Sequence, residues 1–171
     1  SRSFRKNGFA GIGVDGVAKE AGVTSGAFYS HLGSKQNAFD TALIAGLDEV
    51  IEAIPKFQAE NSNWVEVFAR YYLGHAHIND LSCGCAMTAL SPEVVKCNVT
   101  SHALYQKKMT HIVELIADGL KNITKSERIT KAWSLLGILI GGLTIARAVE
   151  DSIVVEEVAS SIISTAISLT A

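Results

Sequence analysis

The hexapeptide GIGVDG at residues 11–16 has the G-x-G-x-x-G spacing of a dinucleotide-binding turn. In such a turn, glycines let the backbone approach a pyrophosphate between a buried strand and a helix. Here the preceding residues, SRSFRKNGFA, are charged and polar and contain no run of β-branched side chains. Asp40 lies at the distance of a ribose-binding carboxylate, but within a helical pattern. We therefore expect no cofactor, and the glycines need another explanation.

The segment HAHINDLSCGC, residues 75–85, brings together two histidines and two cysteines. These residue types ligate zinc or copper, and cysteines also sense oxidation. On a helix, however, His75 and His77 are two residues apart and point in different directions. The three cysteines of the chain, Cys83, Cys85 and Cys97, do not make a disulfide framework. We expect no bound metal, and thiol or metal sensing remains an alternative.

Composition indicates a globular protein whose charge changes sign along the chain. Its 171 residues are 48% hydrophobic and 19% charged, which suffices for a buried core. The net charge is −2, yet residues 1–40 hold five basic and three acidic side chains. The basic excess at the amino end favours a polyanionic partner there.

We expect a cytoplasmic protein with no membrane partner. The first residues, SRSFRKNG, read like the last turns of a helix whose start is missing and not like a signal peptide. The longest uncharged run, residues 132–146, is shorter than the roughly 20 residues that span a bilayer.

Apolar residues recur at steps of three and four through most of the chain, which predicts an all-α fold. Ser34 opens one predicted helix, and Pro55 marks its end. The predicted helices after the amino-terminal region are 34–54, 62–78, a short helix between Gly84 and Pro92, 93–121, 130–149 and 154–169.

Residues 14–32, VDGVAKEAGVTSGAFYSHL, have the pattern of a helix-turn-helix. Ala18 is a small residue that lets two helices approach, and Gly22 suits the left-handed turn between them. Thr24 is placed to cap the second helix, expected at about 25–31. The predicted apolar anchors are Val14, Val17, Ala21, Val23 and Phe28.

The stretch NGF…VAKEAGVTSGAFYSHLGSK resembles the DNA-binding region of the TetR (tetracycline-repressor-like) family of bacterial transcriptional regulators. The resemblance covers residues 4–47. It implies a helix-turn-helix DNA-binding domain at 1–48, followed by a helical effector-binding and dimerisation domain at 49–171. It also implies a regulator and not an enzyme, without a cofactor.

By this resemblance, one set of side chains would contact phosphates and another would face bases. The phosphate contacts would come from Thr24, Tyr29, His31 and Lys35. The base contacts would come from Ser25, Gly26 and Ala27, with Ser30 on the same outer face.

Three departures from the family pattern weaken the expected phosphate contacts. Ile12 and Gly13 stand where members usually have threonine or serine, Ser25-Gly26-Ala27 replaces a common Lys-Gly-Thr, and Leu32 replaces an aromatic. Gly16 inside a helix should also cost about 0.5–1 kcal/mol relative to alanine. We expect DNA binding that is more modest or more sensitive to salt than is usual for the family.

The two carboxyl-terminal helices, 130–149 and 154–169, would pair across a two-fold axis to form a homodimer. Gly137, Gly141 and Gly142 would allow close helix contact; the alternative is that both helices complete a monomeric core. A dimer would read a near-palindromic operator.

A pocket for a small apolar or aromatic effector is expected among the middle helices, with one hydrogen bond to a histidine or tyrosine. Effector binding would release a repressor from DNA. The candidate lining residues are Trp64, Phe68, Tyr71, Tyr72, His75, Met87, Leu90, His102, Tyr105 and Trp133. A less favoured alternative is an all-α carrier or enzyme, although no G-x-S-x-G, H-E-x-x-H or P-loop motif occurs.

Overall fold

The computed structural model describes residues 2–82, 84–121 and 123–170, and this part of the chain contains ten helices and no strand. The all-α prediction is confirmed. The helices are α1 Arg2–Asn7, α2 Val14–Glu20, α3 Ser25–Leu32, α4 Lys35–Glu60, α5 Trp64–Tyr72, α6 His75–Asn79, α7 Ala86–Val94, α8 Val99–Gly119, α9 Lys125–Ala148 and α10 Ser152–Thr170.

Aromatic rings hold α1 and the loop that follows it against the start of α4. The Phe39 ring lies edge-on to Phe4 at 5.5 Å and to Phe9 at 5.4 Å between centroids. Phe28 of α3 is 2% exposed and belongs to the same core. Because α3 also contacts α4 directly, its position depends on α4.

The long helix α4 begins as the sequence predicts and ends later. The Ser34 hydroxyl accepts a hydrogen bond from the Asn37 backbone N–H at 3.1 Å, which caps the helix. Pro55 lies inside the helix, which continues to Glu60, so the predicted end at Pro55 is wrong. Proline removes one backbone donor but leaves later bonds possible. Contacts of Phe57 with Phe68 hold this last stretch in place.

Two predicted long helices are broken in the structure. The predicted helix 62–78 is divided into α5 and α6 at Leu73 and Gly74, and Gly74 forms the N-cap of α6. The predicted helix 93–121 begins only at Val99, because the Asn98 side chain accepts a bond from the Ser101 N–H at 3.0 Å and caps α8 there.

The body of the molecule is built around α8 and α9. α8 packs against α4 and α9, while α10 packs against α9 and α5. α9 begins five residues before the predicted Thr130, because Thr124 and Glu127 form a capping box. The buried side chains at the centre are Ile112, Ile116, Leu135, Leu136, Leu139 and Leu143.

By length and composition, α9 and α10 are each apolar enough to cross a membrane. Core helices of soluble proteins pass the same test, so the two helices do not by themselves show a membrane protein. The two differ in burial. Several α9 side chains lie in the core, whereas only Ala159 and Ala166 are buried among the nineteen residues of α10.

At Gly46, α4 is in close contact with α7 and with a side chain from the amino-terminal unit, which we define as α1–α3 and the start of α4. A Cβ atom placed there would lie 2.6 Å from the Ala86 Cβ and 2.9 Å from the Arg5 Nη2. Since real Cβ atoms do not come this close, only glycine lets α7 and the Arg5 side chain pass over α4 at this point.

We predict that Gly46→Ala destabilises the protein. Overpacking against the fixed Ala86 Cβ costs about 1–3 kcal/mol, which exceeds the gain of about 1 kcal/mol from replacing a helical glycine. Urea unfolding followed by circular dichroism measures the difference. The neighbouring exposed variant Ala45→Ser should change stability by less than about 0.5 kcal/mol. A Gly46→Ala protein as stable as the wild type would contradict this packing.

Candidate nucleic-acid interface

The turn between α2 and α3 has the predicted geometry. Gly22 has φ +70°, the left-handed conformation that glycine adopts without strain. The Val23 N–H then donates to the Ala18 carbonyl at 3.0 Å, which closes the end of α2. The Thr24 hydroxyl accepts from the Ala27 N–H at 3.1 Å and caps α3. The predictions for Gly22 and Thr24 are confirmed.

The predicted apolar anchors of this unit divide into two groups. Val17 and Phe28 are buried, as is the small residue Ala18, and Val14 is half-buried against the core. Ala21 and Val23 are exposed, Val23 at 44%, so their prediction as anchors is wrong. The reason is position, since both residues lie in the turn and not on the facing sides of α2 and α3.

One side of α3 is open to solvent over its whole length. Gly26, Tyr29, Ser30 and His31 are exposed, and Ser25 and Ala27 are half-buried. The Tyr29 ring lies edge-on to Phe28 at 5.7 Å, which orients it from the buried side of the helix. Small side chains on an exposed helix permit close approach to a major groove.

A hydrogen bond from Ser25 to α2 was not foreseen from the sequence. The Ser25 hydroxyl donates to the Asp15 Oδ1 at 2.6 Å. This bond fixes the direction of the hydroxyl and places a carboxylate beside the outer face of α3. A carboxylate there disfavours close phosphates and favours base-edge donors.

Lys35, at the first turn of α4, lies beside the same face. Its Nζ is 4.6 Å from the centroid of the Phe9 ring, a cation–π contact. Gly33, with φ +70°, ends α3 just before it. Lys35 is therefore held in place while its ammonium remains half-exposed at a helix amino end, where anions are favoured.

At Ile12 and Gly13, where the chain departs from the family pattern, the structure shows what replaces the usual hydroxyl. Gly13 forms the N-cap of α2 and makes no side-chain capping bond. A Cβ atom at Gly16 would lie 2.8 Å from the Ile12 Cγ1. The glycine inside α2 therefore makes room for Ile12, which packs against the core where members of the resembled family have a hydroxyl.

The amino-terminal unit is tied to the body by polar contacts on two sides. The Phe9 backbone N–H donates to Glu93 Oε2 of α7 at 3.1 Å. On the other side, the buried Ser101 hydroxyl of α8 donates to Asp40 Oδ1 at 2.6 Å, and Gln36 bonds to both residues. The predicted domain boundary at residue 48 falls within α4, which belongs to both parts.

The ten candidate effector residues do not surround one cavity. Phe68, Tyr71 and Tyr72 line a cavity of about 90 Å³, His75 lines another of about 230 Å³, and Trp64 lines an open groove of about 820 Å³. Met87 and Leu90 are fully buried in the core. His102 and Trp133 are exposed, and the Tyr105 hydroxyl bonds to Ser91 at 2.7 Å. The assignment of these residues to an effector stays a prediction.

Four further residues join the aromatic cluster at the 90 Å³ cavity: Arg5, Glu49, His77 and Cys85. The sequence pointed to His77 and Cys85 only within the histidine–cysteine segment, and it gave no indication of Arg5 or Glu49. The separation of these four residues by up to 80 positions gives no periodic signal, so only the fold brings them together.

Burial sets the protonation state of this cluster. It lowers the pKa of His77 below the usual 6.5 and raises the pKa of the Cys85 thiol. It also raises the pKa of Tyr72 well above 10.0, although the phenol bonds to the Thr88 hydroxyl at 2.9 Å. A thiol of raised pKa is a poor nucleophile and a poor redox sensor.

Within the described part of the chain, no three metal-ligating side chains lie together. Of the predicted histidine–cysteine segment, His75 lies beside Glu156 at 3.8 Å and Cys85 is buried elsewhere, beside Tyr72. Cys83 falls outside the described residues.

Comparison with known proteins links this geometry to one family. Residues 1–40 match the family model described as bacterial regulatory proteins, tetR family. No protein with a curated description matches the chain in sequence.

Solved structures share the whole fold. A TetR transcriptional regulator from Legionella pneumophila superposes with a TM-score of 0.77 at 17% identity, over 95% of this chain and 90% of that one. A protein assigned to the TetR family of transcriptional regulators from Mesorhizobium loti gives 0.68 at 14% identity, over 97% and 90%. The resemblance inferred from residues 4–47 is confirmed.

We predict that His77 makes stability fall with acidification. Because burial holds its pKa below 6.5, the unfolded chain binds a proton that the folded chain does not, so stability is lost as pH falls below that value. His77→Asn keeps a side-chain N–H for the Tyr71 and Tyr72 carbonyls but does not titrate. Melting temperatures from about pH 7 to 5 should fall less for His77→Asn than for wild type. Equal slopes would contradict this, and exposed His102→Asn is the control.

Proposed function

We propose that this chain, a TetR-family DNA-binding regulator, is a homodimeric repressor that leaves a near-palindromic operator when it binds a small effector. The observation that carries the proposal is the open, small-residue face of α3, capped at Thr24 and supported from below by Phe28. An exposed helix of this kind has the shape that enters a major groove.

The exposed face of α3 supports a division between residues that position the protein on the DNA backbone and residues that read the bases. Thr24 and Lys35 lie just outside the two ends of α3, and Tyr29 and His31 are exposed on it. These four would contact phosphates, which position the protein. Ser25, Gly26 and Ala27 would face base edges, with the Ala27 methyl placed for a thymine methyl. Asp15 fixes the Ser25 hydroxyl, which gives that serine one preferred direction for a base contact.

The outer surface of α9 and α10 supports a dimer. On α9, Trp133 and Ile145 are exposed at 46% and 51%, and a Cβ at Gly137 or Gly141 between them would meet no atom within 4 Å. Gly142, by contrast, is filled by Ile162 of the same chain. On α10, which packs against α9, Ile153 and Val154 are also exposed, at 70% and 38%. Two copies of the pair form a four-helix bundle and separate the α3 helices by about 34 Å on DNA.

Release from DNA would follow a shift between two arrangements of α4. This helix contacts α3 near its start and also lines the 90 Å³ cavity with Gly46, Glu49 and Val50. An effector that prefers the arrangement unsuited to DNA lowers occupancy, and a coupling of about 1–3 kcal/mol changes affinity about 5- to 150-fold.

We place the protein in the cytoplasm, where it would reach DNA, with no catalytic role. A thiol-sensing regulator of the same fold is less favoured, because burial raises the pKa of Cys85.

We predict that Lys35→Gln weakens binding equally to the DNA upstream of the gene and to a random fragment. Losing one phosphate contact should reduce the slope of log affinity against log salt by about 1. Gel-shift titrations across a salt series measure both quantities. Lys56→Gln, exposed near the far end of the same helix, is the matched control. An unchanged slope in Lys35→Gln would remove this lysine from the interface.

We predict that Gly137→Glu separates the dimer without unfolding the protomer, because its Cβ meets no neighbour within the chain. An uncompensated carboxylate in an apolar interface costs about 3–5 kcal/mol. Sedimentation velocity should show a dimer for wild type and for Thr110→Glu, on the exposed side of α8, and a monomer for Gly137→Glu. A dimeric Gly137→Glu would place the interface elsewhere.

A further inference from the structure

The 90 Å³ cavity lies where the amino-terminal unit meets the body. Five helices contribute to its lining, which combines the rings of Phe68, Tyr71 and Tyr72 with the Cys85 thiol and one guanidinium, that of Arg5. Tyr71 and Glu49, both largely exposed, mark the side where the cavity reaches solvent. Arg5 is the residue of α1 that reaches it, so the cavity touches the DNA-binding unit directly.

The bonding of Arg5 leaves one donor unused. Its side chain is 5% exposed; Nη2 donates to Glu49 Oε2 at 2.6 Å and Nη1 donates to the Gly84 carbonyl at 3.1 Å. The buried Nε has no hydrogen-bond partner among the described residues. Buried polar groups are nearly always satisfied, and an orphan in a native structure calls for an explanation.

The counterion of Arg5 is easily replaced. The Glu49 side chain is 61% exposed, and an ion pair with one partner in solvent contributes little. The Arg147 guanidinium does not line the cavity, but it donates to the backbone carbonyl of His77, a lining residue, at 2.6 Å. The cavity thus offers one buried guanidinium beside aromatic surface, a combination that suits an anion with an apolar part.

We propose that this cavity binds an organic carboxylate, whose carboxyl group pairs with Arg5 in place of Glu49 while its apolar part lies against Phe68 and Tyr71. The proposal rests on the ligand-responsive function given above. A cavity of about 150 Å³ holds benzene, so about 90 Å³ admits the carboxyl group and leaves the remainder to extend past Tyr71.

Carboxylate binding changes the contact between α1 and α4. Glu49 belongs to α4, and the Arg5–Glu49 pair joins that helix to α1. When the carboxylate takes the guanidinium, this pair is lost, and the ligand in its place changes how α1, with Phe4, packs against Phe39 of α4. Because α3 also contacts α4, the exchange reaches the DNA-binding face.

Isothermal calorimetry and thermal shift with a panel of acids test the site. Acetate, benzoate, phenylacetate and octanoate are each compared with the matching neutral amide. At least one acid should bind and raise the melting temperature more than its amide does. If no acid exceeds its amide, the proposal is overturned.

Variants then assign the binding to Arg5. Arg5→Met should weaken the acid about ten- to a hundredfold, the loss of a charged hydrogen bond, while Glu49→Gln, which removes the competitor, should tighten it about two- to fivefold. If Arg5→Met does not fold, Arg5→Lys, which keeps the charge but not the planar fork, should give an intermediate loss. Unchanged binding in the arginine variants, or weaker binding in Glu49→Gln, would overturn the assignment.

DNA binding is measured on the same preparations without acid. Wild type that binds acid but no DNA would overturn the regulator function and leave the carboxylate site standing. Wild type that binds DNA but no acid would overturn the carboxylate site and leave the regulator function standing.

Discussion

The contact at Gly46 is the constraint on which the arrangement of this molecule depends. There α4 has no side chain, and α7 and the Arg5 guanidinium pass across its backbone at a distance that no other residue type permits. This contact packs α1 against α4, and the rings of Phe4 and Phe39 add a second contact between the same two helices. The proposed DNA-binding face therefore has a position relative to the body that is set by packing and not by a flexible linker.

The same constraint explains how a signal can travel. α4 is a single helix of 26 residues that begins beside the proposed DNA-binding face and packs against α5 and α8. It is tied to α8 by the Ser101–Asp40 bond and to α1 by the Arg5–Glu49 pair. Both polar ties lie within the first fifteen residues of α4, so a shift of this helix in the proposed release from DNA would act on both of them.

Local chemistry was predictable from the sequence, and long-range contacts were not. The turn at Gly22 and the cap at Thr24 were found because each depends on neighbours within a few residues. The predicted end of α4 at Pro55 was wrong, because tertiary contacts such as that of Phe57 with Phe68 stabilise the helix beyond a residue that locally disfavours it. The Arg5 site gave no sequence signal, since its members come from five helices and meet only in the fold.

In vitro selection of binding sites from a random DNA library tests the central claim, that two copies of the exposed α3 face read duplex DNA together. The account predicts an enriched near-palindrome whose half-site centres lie about one helical turn, or 10–10.5 base pairs, apart. Recovery of no common sequence, or of a single half-site without a symmetric partner, would contradict it.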